Sequence, residues 1–246
     1  MLPDLSHDSA LFLDFDGTLA PIVAHPAYAR LPDDTRRLVA LLHRALGGAL
    51  AIVSGRPIEE IDRLVHPLRV PVAGVHGLER RSAAGRLVRQ ASPDLGPIVE
   101  AARRFAAEHE GVIVEAKPGS VALHYRQAPH QAGRSRSLLR DALQRRDDLA
   151  LIDGKMVVEA KSSAAHKGHA VAAFLAEAPF AGRAPVFVGD DVTDEAAMLE
   201  VQSRGGSAIK VGPGPTIATG RLADPAAVRA WLAGQVAGLE SPESLT

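Results

Sequence analysis

The sequence predicts an α/β fold in which a doubly wound parallel sheet is interrupted by a smaller α+β insertion. Three observations lead to this prediction. Short apolar runs alternate with segments of helical spacing towards both ends of the 246-residue chain, hairpin patterns occupy the middle, and acidic residues directly follow two of the apolar runs. Alternating strands and helices are typical of a parallel sheet, whereas hairpins indicate antiparallel strands.

The N-terminal part supplies the first strands and helices of the parallel sheet. Residues 10–15 form a short apolar run that ends in acid and glycine, which predicts a buried strand. Apolar residues at helical spacing predict a helix over 33–46, preceded by proline and closed by two glycines. A strand over 49–53, a short helix over 58–65 and a strand over 70–75 follow.

The C-terminal part returns to the same pattern. An apolar helix is predicted over 169–175, a strand over 184–188, a helix over 193–204 and a strand over 207–211. The tail over 240–246 is expected to be irregular.

The middle of the chain has a different pattern. Hairpin-like strands and two helices are predicted here. They are a hairpin of 77–81 with 85–89, helices over 97–109 and 131–146, and strands over 111–116, 121–126, 149–153 and 155–160. Asp153-Gly154 is a two-residue turn signal between the last two strands. We therefore expect a core formed by residues 1–80 and 162–246, with an α+β insertion over 81–161.

Composition excludes several classes of protein. The chain has no cysteine, which excludes disulfides and cysteine metal sites. Lys and Arg number 28 against 29 Asp and Glu, and aromatic residues make up 4%, so a nucleic-acid partner is not expected. No apolar run is long enough to span a membrane, and the N-terminal residues lack the pattern of an export signal. We expect a cytoplasmic protein without a membrane partner.

Groups capable of chemistry follow two neighbouring strands of the N-terminal part. Asp14 lies within an apolar run, where an unpaired charge is costly, and Asp16 opens a turn with Gly17 and Thr18. Ser54-Gly55-Arg56 follows the next strand. Open α/β sheets bind ligands at the carboxyl ends of their strands. From the residues alone, Asp14 could equally cap a helix or pair with a lysine.

The third strand end carries four acids: Asp190, Asp191, Asp194 and Glu195. Helix capping explains one acid at this position but not four, because like charges repel one another. A hard cation such as Mg2+ would relieve that repulsion. Lys167 stands at the start of a helix, against the helix dipole, and an anionic partner would offset this cost.

Four segments resemble, in the same order, the motifs of haloacid-dehalogenase-like phosphohydrolases: DFDGT at 14–18, SGR at 54–56, Lys167, and GDD at 189–191. Further segments resemble the trehalose-6-phosphate phosphatase family within that superfamily: GVHG at 74–77, EAKP at 115–118, SVALHYR at 120–126 and GDDVTDE at 189–195. The resemblance spans nearly the whole chain. It implies a Rossmann-like core with an inserted, mobile α+β cap of the C2 type.

The resemblance also implies a mechanism and a role for each motif residue. Asp14 would be the nucleophile that forms an aspartyl-phosphate, and Asp16 the general acid and base. Thr18 and Ser54 would bind phosphoryl oxygens, and Lys167 would neutralise phosphate charge. A Mg2+ ion would be held by Asp14, the Asp16 carbonyl and Asp190, while Asp191 or Asp194 would orient Lys167.

The resemblance implies that the cap chooses the sugar phosphate. Glu115, Lys117 and Glu159 match family positions that bind sugar hydroxyls, and the further substrate-binding candidates are Arg56, His76 and His124. The family stretch E-x-R-P is changed here, since Lys161 replaces the arginine and no proline follows.

The resemblance implies a Mg2+-dependent phosphatase that hydrolyses trehalose 6-phosphate to trehalose and phosphate. Three alternatives to this hypothesis remain open. They are a sucrose-phosphate or mannosylglycerate-phosphate type phosphatase, a phosphomutase and a non-catalytic sugar-phosphate sensor. A small phosphorylated sugar is the expected partner, and a monomer is the expected state.

Overall fold

The computed structural model describes residues 2–23, 25, 28–90, 93–117, 119–163 and 166–240. The chain forms two compact units, Met1–Val88 with His166–Thr246, and Arg89–Ala165. The sequence predicts the insertion at 81–161, whereas the smaller unit begins at residue 89 and ends at residue 165. The difference at the first boundary arises from a hairpin that the larger unit retains in its sheet.

Twelve strands are present in the described part of the chain. In chain order they are β1 (Ser9–Leu13), β2 (Leu50–Val53), β3 (Val72–Gly74), β4 (Glu79–Arg81), β5 (Leu87–Arg89), β6 (Ile113–Lys117), β7 (Ser120–His124), β8 (Leu149–Gly154), β9 (Val157–Ser162), β10 (Ala184–Gly189), β11 (Ser207–Val211) and β12 (Gly220–Leu222).

Seven α-helices accompany these strands. They are α1 (Asp33–Ala45), α2 (Ile58–Val65), α3 (Gly96–Glu108), α4 (Ala132–Leu143), α5 (Lys167–Leu175), α6 (Glu195–Ser203) and α7 (Pro225–Glu240). The sequence analysis did not identify β12 or α7. The irregular tail predicted for 240–246 lies outside the described residues except for Glu240, which ends α7.

The larger unit is built on an eight-stranded sheet in the order β12-β11-β10-β1-β2-β3-β4-β5. Neighbouring strands from β12 to β3 are parallel, and β4 is antiparallel to β3. The predicted α/β fold with a parallel-sheet core is therefore confirmed. Helix α1 packs against α7, and α5 packs against α6.

Strand β1 lies between β2, which follows it in the chain, and β10, which comes much later. Register pairs join Leu13 to Val188 on one side and to Ile52 on the other. The strand order therefore reverses beside β1, and open α/β sheets bind ligands at such a reversal. All five residues of β1 are buried, as expected for a central parallel strand covered on both faces.

The smaller unit has an antiparallel sheet in the order β6-β7-β9-β8 with helices α3 and α4. Side chains alternate between its two faces. One face carries the apolar side chains that form this unit's hydrophobic core with the two helices, among them Val121, Leu123, Val158 and Ala160. The opposite face is polar and includes Glu115 and Glu159.

The turn between β8 and β9 is not the predicted Asp153-Gly154 pair. Both residues lie in the ladder, where Asp153 faces Val158 and Gly154 faces Val157. Lys155 and Met156 form the turn instead, and Met156 adopts a positive φ of 65°. A tight hairpin loop needs left-handed backbone, which glycine adopts most easily. The glycine therefore suggested a loop two residues before the actual one, where Met156 takes the left-handed conformation instead.

Among the described residues, no helix combines the length and apolar character needed to cross a membrane.

Candidate active site

Asp14 is the first residue after β1, and its side chain is almost completely buried, with 4% exposure. Its amide donates to the carbonyl of Val188 on β10, which fixes it at the strand reversal. The following turn is closed by Gly17, which has a φ of 84° and donates its amide to the Ala20 carbonyl. A Cβ on Gly17 would lie 2.3 Å from a carboxylate oxygen of Asp190. Glycine is therefore required for Asp190 to approach this turn.

Lys167, the first residue of α5, joins two of the site acids. Its Nζ lies 2.6 Å from Oδ1 of Asp14 and 2.7 Å from Oδ1 of Asp194, and all three side chains are buried. Burial lowers the pKa of Lys167, but the two carboxylates outweigh burial and raise the pKa above its ordinary value. Lys167 therefore remains a cation in this site. Its unfavourable interaction with the dipole of α5 is offset by the two acids that contact it.

The Asp14 carboxyl is in the opposite electrostatic situation. Burial raises its pKa well above the ordinary value; Lys167 lowers the pKa, and Asp194 and Asp190 raise it further. The ionised form is thus disfavoured by burial and by two neighbouring acids, and a single ammonium group opposes them. An additional cation at this position would favour the ionised carboxylate.

Asp194, and not Asp191, is the acid that contacts Lys167. One oxygen of Asp194 accepts from Lys167, and the other accepts from the Asp191 amide at 2.8 Å. Asp191 and Asp194 also form a reciprocal capping box at the short 3-10 turn Val192–Asp194. The fourth acid of the predicted cluster, Glu195, accepts from the amide of Ile217 instead. The four neighbouring acids therefore differ in their contacts, and Asp190 is the one that approaches Gly17.

Asp14, Asp190 and Asp194 form a buried group whose carboxylate oxygens lie within 4.8 Å of one another. Oxygen donors of this kind suit a hard divalent cation such as Mg2+. Since Lys167 supplies one positive charge against three carboxylates, a divalent ion also fits the charge of the site. Both oxygens of Asp194 already accept hydrogen bonds, from Lys167 and from the Asp191 amide.

Asp16 is turned towards Arg56, which follows β2. The Arg56 Nε lies 2.6 Å from one carboxylate oxygen of Asp16, and its terminal nitrogen lies 2.8 Å from the other. The guanidinium also pairs with Glu60 one helical turn later and lies over the ring of Phe15 at 5.9 Å. Burial lowers the pKa of Arg56, but Asp16 and Glu60 outweigh it and raise the pKa. In this structure Arg56, predicted to bind substrate, holds Asp16.

The remaining core residues surround these groups. Ser54 is buried beside Arg56, and its hydroxyl accepts from the Arg56 amide at 3.1 Å. The Thr18 hydroxyl is buried and makes no hydrogen bond within the described part of the chain. The ring of His76 packs so closely on Gly55 that a Cβ there would lie 2.7 Å from it.

The segment that carries His76 has an unusual backbone. Val75 and His76 have φ values of 49° and 54°, which are uncommon for residues other than glycine and costly for a β-branched one. The amides of Val75 and His76 donate to the carbonyls of Arg56 and Ser54, respectively. The Ser54–Arg56 turn is thus supported by a strained neighbour.

The four cap candidates lie on the polar face of the sheet in the smaller unit. Glu115 pairs with His124 at 2.9 Å and with Lys117 at 3.1 Å. Burial raises the pKa of Glu115, but the bonds from His124 and Lys117 outweigh burial and lower the pKa to about 2. Glu115 therefore carries a full negative charge at neutral pH.

Glu159 lies in the same row of this face. The register joins Glu115 to Ala122 and Ala122 to Glu159, so a small side chain separates the two glutamates. The next row joins Lys117, Ser120 and Lys161. The structure thus brings Glu115, Lys117, His124 and Glu159 onto one surface, together with the changed family position Lys161.

One buried charged residue near the acids, Lys210, was not predicted from the sequence. Lys210 lies in β11, has 4% exposure, and donates from Nζ to the carbonyl of Asp190 at 2.5 Å. A lysine between the apolar residues Ile209 and Val211 of a short strand is the signal that would have indicated it.

Comparisons with known proteins agree with one another. A family model described as trehalose-phosphatase matches residues 12–225. The trehalose-6-phosphate phosphatase of Escherichia coli strain K12 is 44% identical over 239 residues, which cover 94% of this chain and 87% of that protein. A crystal structure of a trehalose-6-phosphate phosphatase related protein superposes with a TM-score of 0.78 at 27% identity and covers 94% of this chain and 98% of that one.

A more distant structure shows the same fold. A haloacid dehalogenase-like hydrolase from B. subtilis has a TM-score of 0.66 at 13% identity, covering 91% of this chain and 99% of that one.

Proposed function

Because the chain belongs to the trehalose-phosphatase family, a family of phosphoric monoester hydrolases, we propose that it hydrolyses trehalose 6-phosphate to trehalose and phosphate. The observation that carries the proposal is the buried Asp14–Lys167–Asp194 group at the strand reversal. The similarity to the E. coli enzyme supports the choice of sugar, because it extends through both units of the chain.

Asp14 acts as the nucleophile. One of its carboxylate oxygens attacks phosphorus, and the bond between phosphorus and the sugar C6 oxygen breaks. The products of this step are an aspartyl-phosphate and the sugar alkoxide, which takes a proton from Asp16. Lys167 supports the step because its ammonium, held between Asp14 and Asp194, faces the phosphoryl charge that arrives.

Asp16 then reverses its role. As a carboxylate it accepts a proton from a water molecule, whose oxygen attacks phosphorus and breaks the bond to Asp14. Inorganic phosphate leaves and the enzyme is regenerated. The bidentate contact with Arg56 holds the Asp16 carboxylate in one orientation for this second step, in which it accepts the proton.

Thr18 and Ser54 bind the phosphoryl oxygens. Their hydroxyls are buried at the ends of neighbouring strands, and the Thr18 hydroxyl keeps its hydrogen-bonding capacity for a ligand because no residue in the described part of the chain uses it. A buried hydroxyl without a partner is costly, so a ligand that satisfies it is favoured.

Asp14, Asp190 and the Asp16 carbonyl would hold Mg2+. The bound ion would neutralise phosphate charge and reduce its repulsion by the nucleophilic carboxylate. The fit rests on the oxygen-only donor set and on the excess of buried carboxylates over ammonium groups. Asp191 supports the site indirectly through the capping box that places Asp194.

The polar face of the smaller unit selects the sugar. Glu115, Lys117, Glu159 and His124 present charged and hydrogen-bonding groups that suit a polyol, since each can serve neighbouring hydroxyls. Sugars that lack those hydroxyls would leave these groups unpaired. The ring of His76 packs on Gly55 in the Ser54–Arg56 turn, and His76 is a further contact residue for the phosphate end of the substrate.

Phosphate release across a panel of phosphosugars tests this function. We expect rapid release from trehalose 6-phosphate in the presence of Mg2+, and much slower release from sucrose 6-phosphate, mannosylglycerate phosphate and glucose 6-phosphate. Product analysis should show free trehalose and no second phosphosugar, which distinguishes hydrolysis from a mutase reaction. Absence of release from every sugar would support the sensor alternative and contradict the proposal.

A further inference from the structure

Lys210 is a buried cation for which the proposed reaction has no use. It lies in β11, where the register pairs it with Gly189, the last residue of β10. Paired residues of neighbouring parallel strands direct their side chains to the same face. On that face, a Cβ at Gly189 would lie 2.4 Å from the carboxyl carbon of Asp194. Lys210 therefore leaves the sheet on the side where the acids gather.

The contact that Lys210 makes is to the main chain. Its Nζ donates to the carbonyl oxygen of Asp190, the residue that directly follows β10. Burying an ammonium group is costly unless it is compensated, and a carbonyl compensates a charge less well than a carboxylate does. A hydrophobic side chain would fill this position in an apolar strand at lower cost. The lysine must therefore contribute something that packing alone does not.

We infer that Lys210 is a positioning residue for the divalent-cation site and holds the Asp190 backbone so that its carboxylate is already oriented for the ion. This inference rests on the proposed function, because that function assigns Asp190 to the metal. Asp190 is placed between two restraints: its carboxylate packs against Gly17, and its carbonyl is held by Lys210. Groups that orient a metal ligand without touching the metal commonly change metal affinity by about 10- to 100-fold when removed.

The alternative role for Lys210 predicts the opposite sign. If the ammonium acted only as a positive charge near the ion, its removal would relieve repulsion and strengthen Mg2+ binding. If it positions Asp190, its removal weakens Mg2+ binding although a positive charge is lost. The direction of the change in Kd therefore separates the two roles.

The experiment is a calorimetric titration of the full-length chain with Mg2+ in the absence of substrate. We expect K210M to raise the Kd for Mg2+ by about 10- to 100-fold. K210Q, which keeps a donor but loses reach and charge, should fall between K210M and the native chain. Activity is not needed for this readout, so the result is independent of turnover.

Arg183 provides the matched control. It is also a cation bound to main-chain carbonyls, those of His7, Ser9 and Leu46, near the amino end of β1. R183M should lower the melting temperature and leave the Kd for Mg2+ unchanged. If K210M does not fold, K210Q is compared with the native chain by the same titration.

Three results would overturn the inference: a Kd within twofold of native for the lysine variants, tighter binding in K210M, or an equal rise in R183M. A native chain that binds no Mg2+ would overturn the metal assignment of the proposed function as well, whereas an unchanged Kd in the variants overturns the Lys210 inference alone.

Discussion

Replacing Arg56 by methionine tests whether the contact with Asp16 serves catalysis. The contact is bidentate, at 2.6 and 2.8 Å, and the arginine side chain is 7% exposed against 38% for the aspartate. Methionine keeps much of the buried volume but removes both hydrogen bonds. Asp16 is then free to occupy other rotamers, so its carboxylate is correctly placed for only part of the time.

The expected loss in kcat is smaller than the loss from removing Asp16 altogether. Complete loss of a general acid and base costs about 10²- to 10⁴-fold, and misplacement of a catalytic group by about 1 Å can cost ~100-fold. Because R56M leaves Asp16 present but less ordered, we expect kcat for trehalose 6-phosphate to fall by about 10- to 100-fold. This equals about 1.4 to 2.8 kcal/mol of lost transition-state stabilisation.

The assay compares two leaving groups. Trehalose needs a proton as it leaves, whereas p-nitrophenolate does not, so the first step with p-nitrophenyl phosphate should survive in R56M. The second step still needs Asp16 as a base. R56M should therefore release a burst of one nitrophenol per enzyme, followed by slow turnover.

Arg81 supplies a control of equal burial, since the side chains of Arg56 and Arg81 are both 7% exposed. It forms a bidentate pair with Asp62 of helix α2, at 2.5 and 2.7 Å. R81M should lose stability with little change in kcat. An R56M kcat that stays within twofold or rises would refute the positioning role, as would an equal loss in R81M.

Four further predictions concern the proposed site. D14N should reduce phosphate release by at least about 10³-fold while circular dichroism stays native, because the nucleophile is lost; turnover above a tenth of native would contradict the assignment. Chelation by EDTA should abolish release and added Mg2+ should restore it, while full activity after dialysis against EDTA would remove the metal from the scheme. E115A should reduce kcat/KM for trehalose 6-phosphate far more than for p-nitrophenyl phosphate, and equal losses would contradict sugar selection by Glu115. The pKa of Glu115 is lowered from 4.5 to about 2, so its stabilisation is complete above about pH 4.5 and is lost as pH falls towards 2. In urea unfolding, the free energy of unfolding of the native chain should exceed that of E115Q by up to about 3 kcal/mol at pH 6 and by less at pH 3. A difference in unfolding free energy that does not change with pH would exclude the ionised pair as its source.

The strand ends could be predicted because a short apolar run followed directly by an acid can be recognised in the sequence. Asp14 and Asp190 stand directly after central strands, and parallel strands bring their carboxyl ends to one edge of the sheet. Periodicity likewise indicated most helices. Short elements near the C-terminus, such as β12, carry too few residues to show a period.

Pairings between distant residues could not be predicted. Whether Lys167 meets Asp191 or Asp194 depends on the direction of each side chain at a short 3-10 turn, and both acids have the same sequence signal. Arg56 stands 40 residues from Asp16, and nothing in the sequence indicates that it binds an acid of the enzyme. The first boundary of the insertion was displaced for a similar reason: a hairpin gives the same pattern whichever sheet it joins.

The pairing of β1 with β10 has a consequence for how the chain reaches its active form. Ser9 aligns with Ala184, so the first strand of the sheet has no partner on that side until most of the chain has been synthesised. At about 5–20 residues per second, the apolar segment Ser9–Leu13 emerges roughly 9–35 s before β10. Residues 89–165, with their own hydrophobic cluster, can fold within that interval. Asp14 is therefore synthesised long before Lys167, Asp190 and Asp194, and its buried contact with Lys167 can form only late in synthesis.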